Sequence, residues 1–210
     1  MKTLKVPHIN DIDLNDVDQL HSVLNEQEKY PLEFHLWEKK NEYKPRVNFS
    51  LAHNNHSILL KFFVEEKEMR ANVTQTNGAV WEDSCVEFFV SFDESGYYNF
   101  EFNSIGTVLA AFRRSRNERT LLAEDALKKI ETYTKLNKKD GSFYWEMLIV
   151  IPTELFIRHS LQSLGGIVCR ANFYKCGDGL SQPHYLSWNN IESGTPNFHL
   201  PQFFGEIFFE

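Results

Sequence analysis

The chain has 210 residues, 22 basic and 29 acidic side chains for a net charge of −7, 42% hydrophobic residues and 24% charged ones. That balance excludes a disordered chain, which lacks apolar residues, and a nucleic-acid binder, which needs a basic stripe to displace counterions from phosphates. No apolar run nears the roughly 20 residues that span a bilayer, so no membrane partner is expected, and the length suits one domain.

Eighteen Phe, eight Tyr and four Trp make the chain 14% aromatic, which leans towards strands. The start, Met1-Lys2-Thr3-Leu4-Lys5-Val6-Pro7-His8, lacks the apolar core of a secretory signal. As it stands the sequence reads as cytoplasmic, or as periplasmic or secreted if a leader has been removed. Leu14, Val17, Leu20, Val23 and Leu24 recur at helical spacing and predict an amphipathic helix over 14–28, capped by Asp13 or Asn15. Pro31 ends that segment, so residues 1–30 read as a helical extension and 31–210 as the main domain.

Beyond Pro31 the period is two. Residues 46–52 alternate Val47, Phe49 and Leu51 with polar partners, His53-Asn54-Asn55-His56 turns the chain, and 57–65 return. Residues 84–93 place Val86, Phe88, Val90 and Phe92 on one face, with Cys85, Glu87, Phe89 and Ser91 on the other. After Glu94-Ser95-Gly96, residues 97–103 oppose Tyr98, Phe100 and Phe102 to Asn99, Glu101 and Asn103, and 106–112 form the next strand. The arginine-rich stretch 113–125 reads as a long surface loop. Strands at 128–136 and 142–151 hinge on Lys139-Asp140-Gly141, and Pro152 with Glu154 suggests a short helix to about 160. Residues 167–175 and 204–210 complete about ten strands. The pattern predicts an all-β, two-sheet β-sandwich, jelly-roll-like, with a short N-terminal helix.

Several strands pair an apolar face with a set of specific polar groups: Glu87, Asn99, Glu101, Asn103, Tyr144, Glu146, Arg170 and Asn172. A solvated sheet face accounts for any one of them. Together, carboxylates, amides and an arginine suit bidentate hydrogen bonding to vicinal hydroxyls. Trp81, at a loop–strand junction, reads as a partly exposed platform or an end plug. Phe198 and His199 sit in a loop between Pro196 and Pro201; Trp188 is ambiguous, and Trp37 and Trp145 read as core. Cys85, Cys169 and Cys176 cannot all pair with one another and read as small buried hydrophobes. No C-x-x-C or H-E-x-x-H spacing marks a zinc site.

These residues carry a resemblance. Trp81-Glu82-Asp83-Ser84-Cys85-Val86-Glu87-Phe88-Phe89-Val90 resembles the W-x-x-D-S-V-E-[IF]-F-[IV] run of family 9 carbohydrate-binding modules, with Cys85 as one extra residue. Tyr97-Tyr98-Asn99-Phe100-Glu101-Phe102-Asn103 with Gly106-Thr107 is similar to the family's Y-x-[QE]-F-x-[VF]-N…G segment. Leu186-Ser187-Trp188, then Asn197-Phe198-His199 with Pro201, Phe204 and Gly205, resembles its closing motif. The likeness runs from about residue 31 to 210, and the helix before it resembles an extension of the family 9-like branch.

The resemblance implies a sugar-binding sandwich linked to the catabolism of plant-type polysaccharides such as xylan. By motif position Trp81 and Phe198 would clamp a sugar ring, Glu87 would bind a hydroxyl, and Asn103 and Asn172 would supply amides. Glu101 stands where the xylanase-attached modules carry an arginine, with Arg170 as the candidate to compensate. The family also holds structural calcium, for which Asp93 and Glu94 are the candidate ligands. The expected function is non-catalytic carbohydrate binding, with two alternatives. One is a xylanase-like glycoside hydrolase using a carboxylate pair from Glu87, Glu101 and Glu146. The other is a structural or partner-binding sandwich that has lost its sugar site.

Overall fold

A computed structural model describes residues 1–37 and 42–210. The chain opens with β1 (Thr3–Val6), α1 (Val17–Glu26), β2 (Tyr30–Pro31) and β3 (Phe34–His35). Long strands follow: β4 (Arg46–His53), β5 (Ser57–Glu66), β6 (Cys85–Asp93), β7 (Gly96–Asn103) and β8 (Val108–Arg113). Then come β9 (Arg119–Leu121), α2 (Glu124–Leu127), β10 (Glu131–Lys139) and β11 (Ser142–Pro152), and finally β12 (Val168–Cys176), β13 (Tyr185–Ser187) and β14 (Gly205–Phe209). A nine-stranded sheet runs β1-β14-β12-β6-β7-β8-β9, with β13 pairing β12 and β3; a five-stranded sheet runs β10-β11-β5-β4-β2. The two form a β-sandwich with little helix, as the alternating pattern predicts.

The inner faces meet over a core rich in phenylalanine. Phe49 of β4 stacks on Phe173 of β12 across the sheets (3.8 Å between ring centres, 19°), and Phe173 in turn lies 5.0 Å from Phe88 of β6. Trp145 and Trp188 are both buried, Trp188 edge-on to Phe49 and Phe173. The β10–β11 hairpin turns on Asp140 and Gly141 at φ +51° and +81°, the left-handed pair that a two-residue loop needs to match the strand twist.

Several expectations are corrected by the structure. The helix starts later, at Val17, because Asp16 rather than Asp13 or Asn15 accepts from the Gln19 amide (2.9 Å); Asp13 is occupied by Asn15 in the preceding turn. Residues 1–30 are built into the sandwich: β1 pairs parallel with β14, and α1 lays Leu20 and Leu24 on Ala52, Leu59, Leu148 and Val150. The stretch read as a loop over 113–125 contains β9, which closes a hairpin on β8, and the start of α2. After Pro152 the chain makes only a 3₁₀ turn, Thr153–Leu155. Trp37 is not core: it follows β3 in a left-handed conformation (φ +57°), half-buried, its Nε1 donating to the Ser193 carbonyl.

The outer face of the larger sheet is not solvated. Phe89, Tyr97, Leu109 and Tyr174 pack there beneath Leu36, Val80, Ile191, Phe198 and Phe204 from the loops, a second apolar cluster. The polar residues of these strands are therefore roofed. One gap in the roof forms the cleft described next. Among the described residues no helix is long and apolar enough to cross a membrane.

Candidate functional site

Strand register places the polar side chains in columns. On the outer face, Tyr174 (β12), Glu87 (β6), Glu101 (β7) and Leu109 (β8) stand side by side. Cys176, Cys85 and Asn103 form the column on one side, and Asn172, Phe89, Asn99 and Ala111 the column on the other. Glu87 and Glu101 reach the floor of a cleft of about 350 Å³, lined also by Trp81, Cys176, Asp178, Tyr185, Phe198 and His199. Arg113, Arg116 and Arg119 of the β8–β9 hairpin close one side.

Each wall has a local cause. Trp81 lies in a 3₁₀ turn, Val80–Glu82, and is half-buried. The turn is pinned by the buried carboxylate of Asp83, which accepts from Arg70 Nε (3.1 Å), the Val73 amide (2.9 Å) and Asn103 Nδ2 (2.9 Å). Donors converging on Asp83 hold its carboxyl below the ordinary range despite burial. Phe198 stacks face-on against Tyr174 (4.2 Å, 10°), which leaves its other side for the cleft and makes it 8% exposed. Tyr185 adds to that aromatic wall, and Trp37 packs against Phe198 from outside the cleft lining, each 6.0 Å from the Phe198 ring. His199 stacks on Phe89 (5.1 Å) and its Nδ1 lies 3.1 Å from the Tyr97 hydroxyl.

The floor is electrostatically mixed. Asn99 Nδ2 donates to Glu101 Oε1 (2.9 Å), and Arg113 Nε donates to Asn99 Oδ1 (2.8 Å), so the amide relays between carboxyl and guanidinium. Burial pushes Glu101 up to about 7, with Arg113 pulling against it. Glu87 is pushed well up by burial, then by Cys176 and Glu101. His199 is held down to about 3 by burial and by Arg113, Arg116 and Arg119. At neutral pH its ring is therefore a neutral hydrogen-bonding group. The arrangement suits a neutral polyhydroxyl ring: flat apolar walls for its faces, and carboxyl, guanidinium and imidazole groups for its hydroxyls.

Of the residues singled out from sequence, the structure brings Trp81, Phe198, Glu87 and Glu101 together. It does not bring Asn103, Asn172 or Arg170 to the cleft. Asn103, at the covered end of β7, is committed to Asp83, the Val73 carbonyl and the Thr107 amide. Asn172 exchanges hydrogen bonds with the Asn189 backbone beneath the roof. Arg170, opposite Ser91 and further along β12, caps the Gln202 and Phe204 carbonyls. The guanidinium beside Glu101 comes from Arg113. Tyr144 and Glu146 lie on β11 in the other sheet, where Glu146 pairs with buried Lys61 (2.6 Å). For calcium, Asp93 is engaged with the Ser95 amide (2.8 Å) and His159 (3.2 Å), and no group of three His, Cys, Asp or Glu side chains gathers around Asp93 and Glu94 among the described residues.

Sequence reasoning missed the arginine hairpin, Asp178 and Tyr185. The hairpin left a signal: Arg113, Arg116 and Arg119 recur every third residue, while Arg114 pairs outward with Glu118.

A two-sheet sandwich with one aromatic-walled polar cleft defines the class. The sequence profile of carbohydrate-binding family 9 matches residues 17–209. A candidate carbohydrate-binding protein from Bacteroides uniformis is 38% identical over 100% of this chain and 99% of its own, with a TM-score of 0.89. Two structures of a family 9 module from Caldicellulosiruptor kristjanssonii share the fold at lower identity. The one with cellotriose is 15% identical, covering 100% of this chain and 94% of its own, with a TM-score of 0.64. The one with glucose is 16% identical, covering 100% and 96%, with a TM-score of 0.60. No curated protein sequence matches. The chain belongs to carbohydrate-binding family 9.

Proposed function

We propose that the chain binds a sugar ring in this cleft and does not cleave it. The observation that carries the reading is the meeting of Trp81 and Phe198 on one cleft whose floor holds Glu87 and Glu101 and whose rim holds arginines. Family membership and the glucose and cellotriose of the Caldicellulosiruptor modules make a glucose-type ring the first ligand to test. A role in the breakdown of plant-type polysaccharides follows as the setting of that binding. Ring stacking of about 0.5–1.5 kcal/mol per aromatic, with several hydrogen bonds of about 1 kcal/mol, corresponds to a Kd from mM to μM.

One observation favours hydrolysis: Glu87 and Glu101 are directly opposite on adjacent strands, with both carboxyls raised. Both are tied to neighbours, Glu87 to the Cys176 thiol (3.0 Å) and Glu101 to Asn99, which suits fixed hydroxyl acceptors. Calorimetric titration with glucose, cello-oligomers and xylo-oligomers, read beside a reducing-end assay on the same oligomers, tests both. Saturable binding with no new reducing ends is the expected result. Turnover abolished by Glu87→Gln in a folded variant would replace binding with hydrolysis.

A further inference from the structure

We propose that Cys85, Cys176 and Glu87 form a site for a thiophilic divalent cation of the zinc type, opening onto the cleft floor. The site shares Glu87 with the proposed sugar cleft and differs from sugar binding in its chemistry. The spacing of the cysteines in the sequence gives no hint of it, because its ligands come from two strands. Cys85 begins β6 and Cys176 ends β12, and the register sets them directly opposite each other. Glu87 is two residues beyond Cys85, so the pleat returns it to the same face.

The two thiol sulfurs and a Glu87 oxygen all lie within 4.8 Å of one another, and Cys176 Sγ is 3.0 Å from Glu87 Oε1. A tetrahedral zinc, with bonds of about 2.3 Å to sulfur and about 2.0–2.2 Å to oxygen, holds such ligands roughly 3.5–3.8 Å apart. Side-chain rotations that shift the ligand atoms by about an ångström close the difference, on a sheet that sets Cys85 opposite Cys176. The ligands are buried, while Cys176 and Glu87 border the cleft. An ion therefore has a path in, and a fourth position facing the cleft for water or another oxygen ligand. Two sulfurs and one carboxylate select zinc-like ions over calcium or magnesium, which take oxygen ligands. Cys169 provides the internal control: it lies on the inner face of β12 among apolar core residues.

The test uses the reduced, chelator-treated chain and Co²⁺ as the probe. Saturation at one ion per chain should bring thiolate-to-cobalt charge-transfer absorption and the visible bands of a tetrahedral ion, both removed by Zn²⁺. Cys85→Ser and Cys176→Ser should each abolish the charge-transfer band, Glu87→Gln should weaken binding at least tenfold, and Cys169→Ser should leave the band and its stoichiometry unchanged. In case the serine variants fold poorly, mass spectrometry of the wild-type chain after alkylation gives a second reading: Zn²⁺ should protect Cys85 and Cys176 and leave Cys169 unaffected. No charge-transfer band in the reduced wild type, a band that survives both serine variants, or no protection of the two thiols would overturn the site. None of these readings uses a sugar, so they stand or fall apart from the proposed binding function.

Discussion

Glu87 and Glu101 face each other across one rung of the β6–β7 ladder, and burial raises both carboxyls above the ordinary glutamate range. Two adjacent buried acids cost folding energy once both ionise, and a site that keeps them does so against stability. That cost can be read from pH.

For Glu101 the sign is fixed. Its folded value of about 7 exceeds the ordinary 4.5, so between those limits the folded chain holds more proton than the unfolded one. Its contribution to stability is therefore lost as pH rises through 7. His199 works oppositely, since its value near 3 lets the unfolded chain take up the proton below about 6.5. The wild-type profile mixes the two. The difference between wild type and Glu101→Gln isolates the acid: the variant's relative stability should grow from pH 4.5 to 7 and then level off, in denaturant titrations across that range. A flat difference would show that Glu101 ionises normally.

The two aromatic walls should separate on truncation. Trp81 is half-buried at the cleft edge, so Trp81→Ala should weaken sugar binding at least tenfold, about 1.4 kcal/mol, with a small change in melting temperature. Phe198 is sandwiched on Tyr174, so Phe198→Ala should cost about 3–5 kcal/mol of stability as well as affinity. Unchanged affinity in Trp81→Ala would remove that ring from the site.

Placement under the roof predicts which amides matter for folding. Asn103→Ala takes a donor from the buried Asp83 carboxylate and should cost about 1–3 kcal/mol. Asn172→Ala and Arg170→Ala should leave sugar affinity within about twofold, because neither side chain lines the cleft. A large affinity loss in Arg170→Ala would place the ligand elsewhere.

Near the C-terminal ends of two interior strands, Glu66 of β5 and Lys175 of β12 form a fully buried ion pair (2.9 Å) that joins the two sheets. Lys175 Nζ also lies 3.0 Å from His184 Nε2; the ammonium can only donate, so the ring accepts there. Burial and Lys175 hold that histidine down to about 2, keeping it neutral. Glu66→Gln strands the lysine charge and should cost about 3–5 kcal/mol. At about 2–4 °C per kcal/mol for a chain of this size, calorimetry should register a fall of roughly 10 °C.

How much of this was legible follows from what periodicity encodes. Alternation of two identified β6, β7 and β11 and told which side chains share a face. It carries no information on which residues of that face share a column, and this is why Asn103, Asn172 and Arg170 read as equivalent to Glu87 and Glu101. The short strands escaped for a related reason. Thr3–Val6 offers only two buried side chains, and its partner β14 lies at the far end of the chain. Trp37 looked like core by alternation, but it follows β3 in a left-handed backbone conformation and its half-buried ring lies against Tyr185 and Phe198. Trp81 and Phe198 were legible singly from their loop positions, but their pairing across one cleft came through motif resemblance, since no local pattern relates residues so far apart in sequence.

The β8–β9 hairpin brings the cleft's arginines in on a peripheral element. It is joined to the rest of the larger sheet through β8 alone, at the sheet's margin, and its tip at 114–118 is exposed throughout. Rim charge and scaffold are consequently separable: a loop graft confined to that tip can exchange Arg116 for a neutral or acidic residue while every long strand keeps its register. Ligand preference in this chain can therefore drift, by selection or by engineering, at a position where the fold exerts little veto.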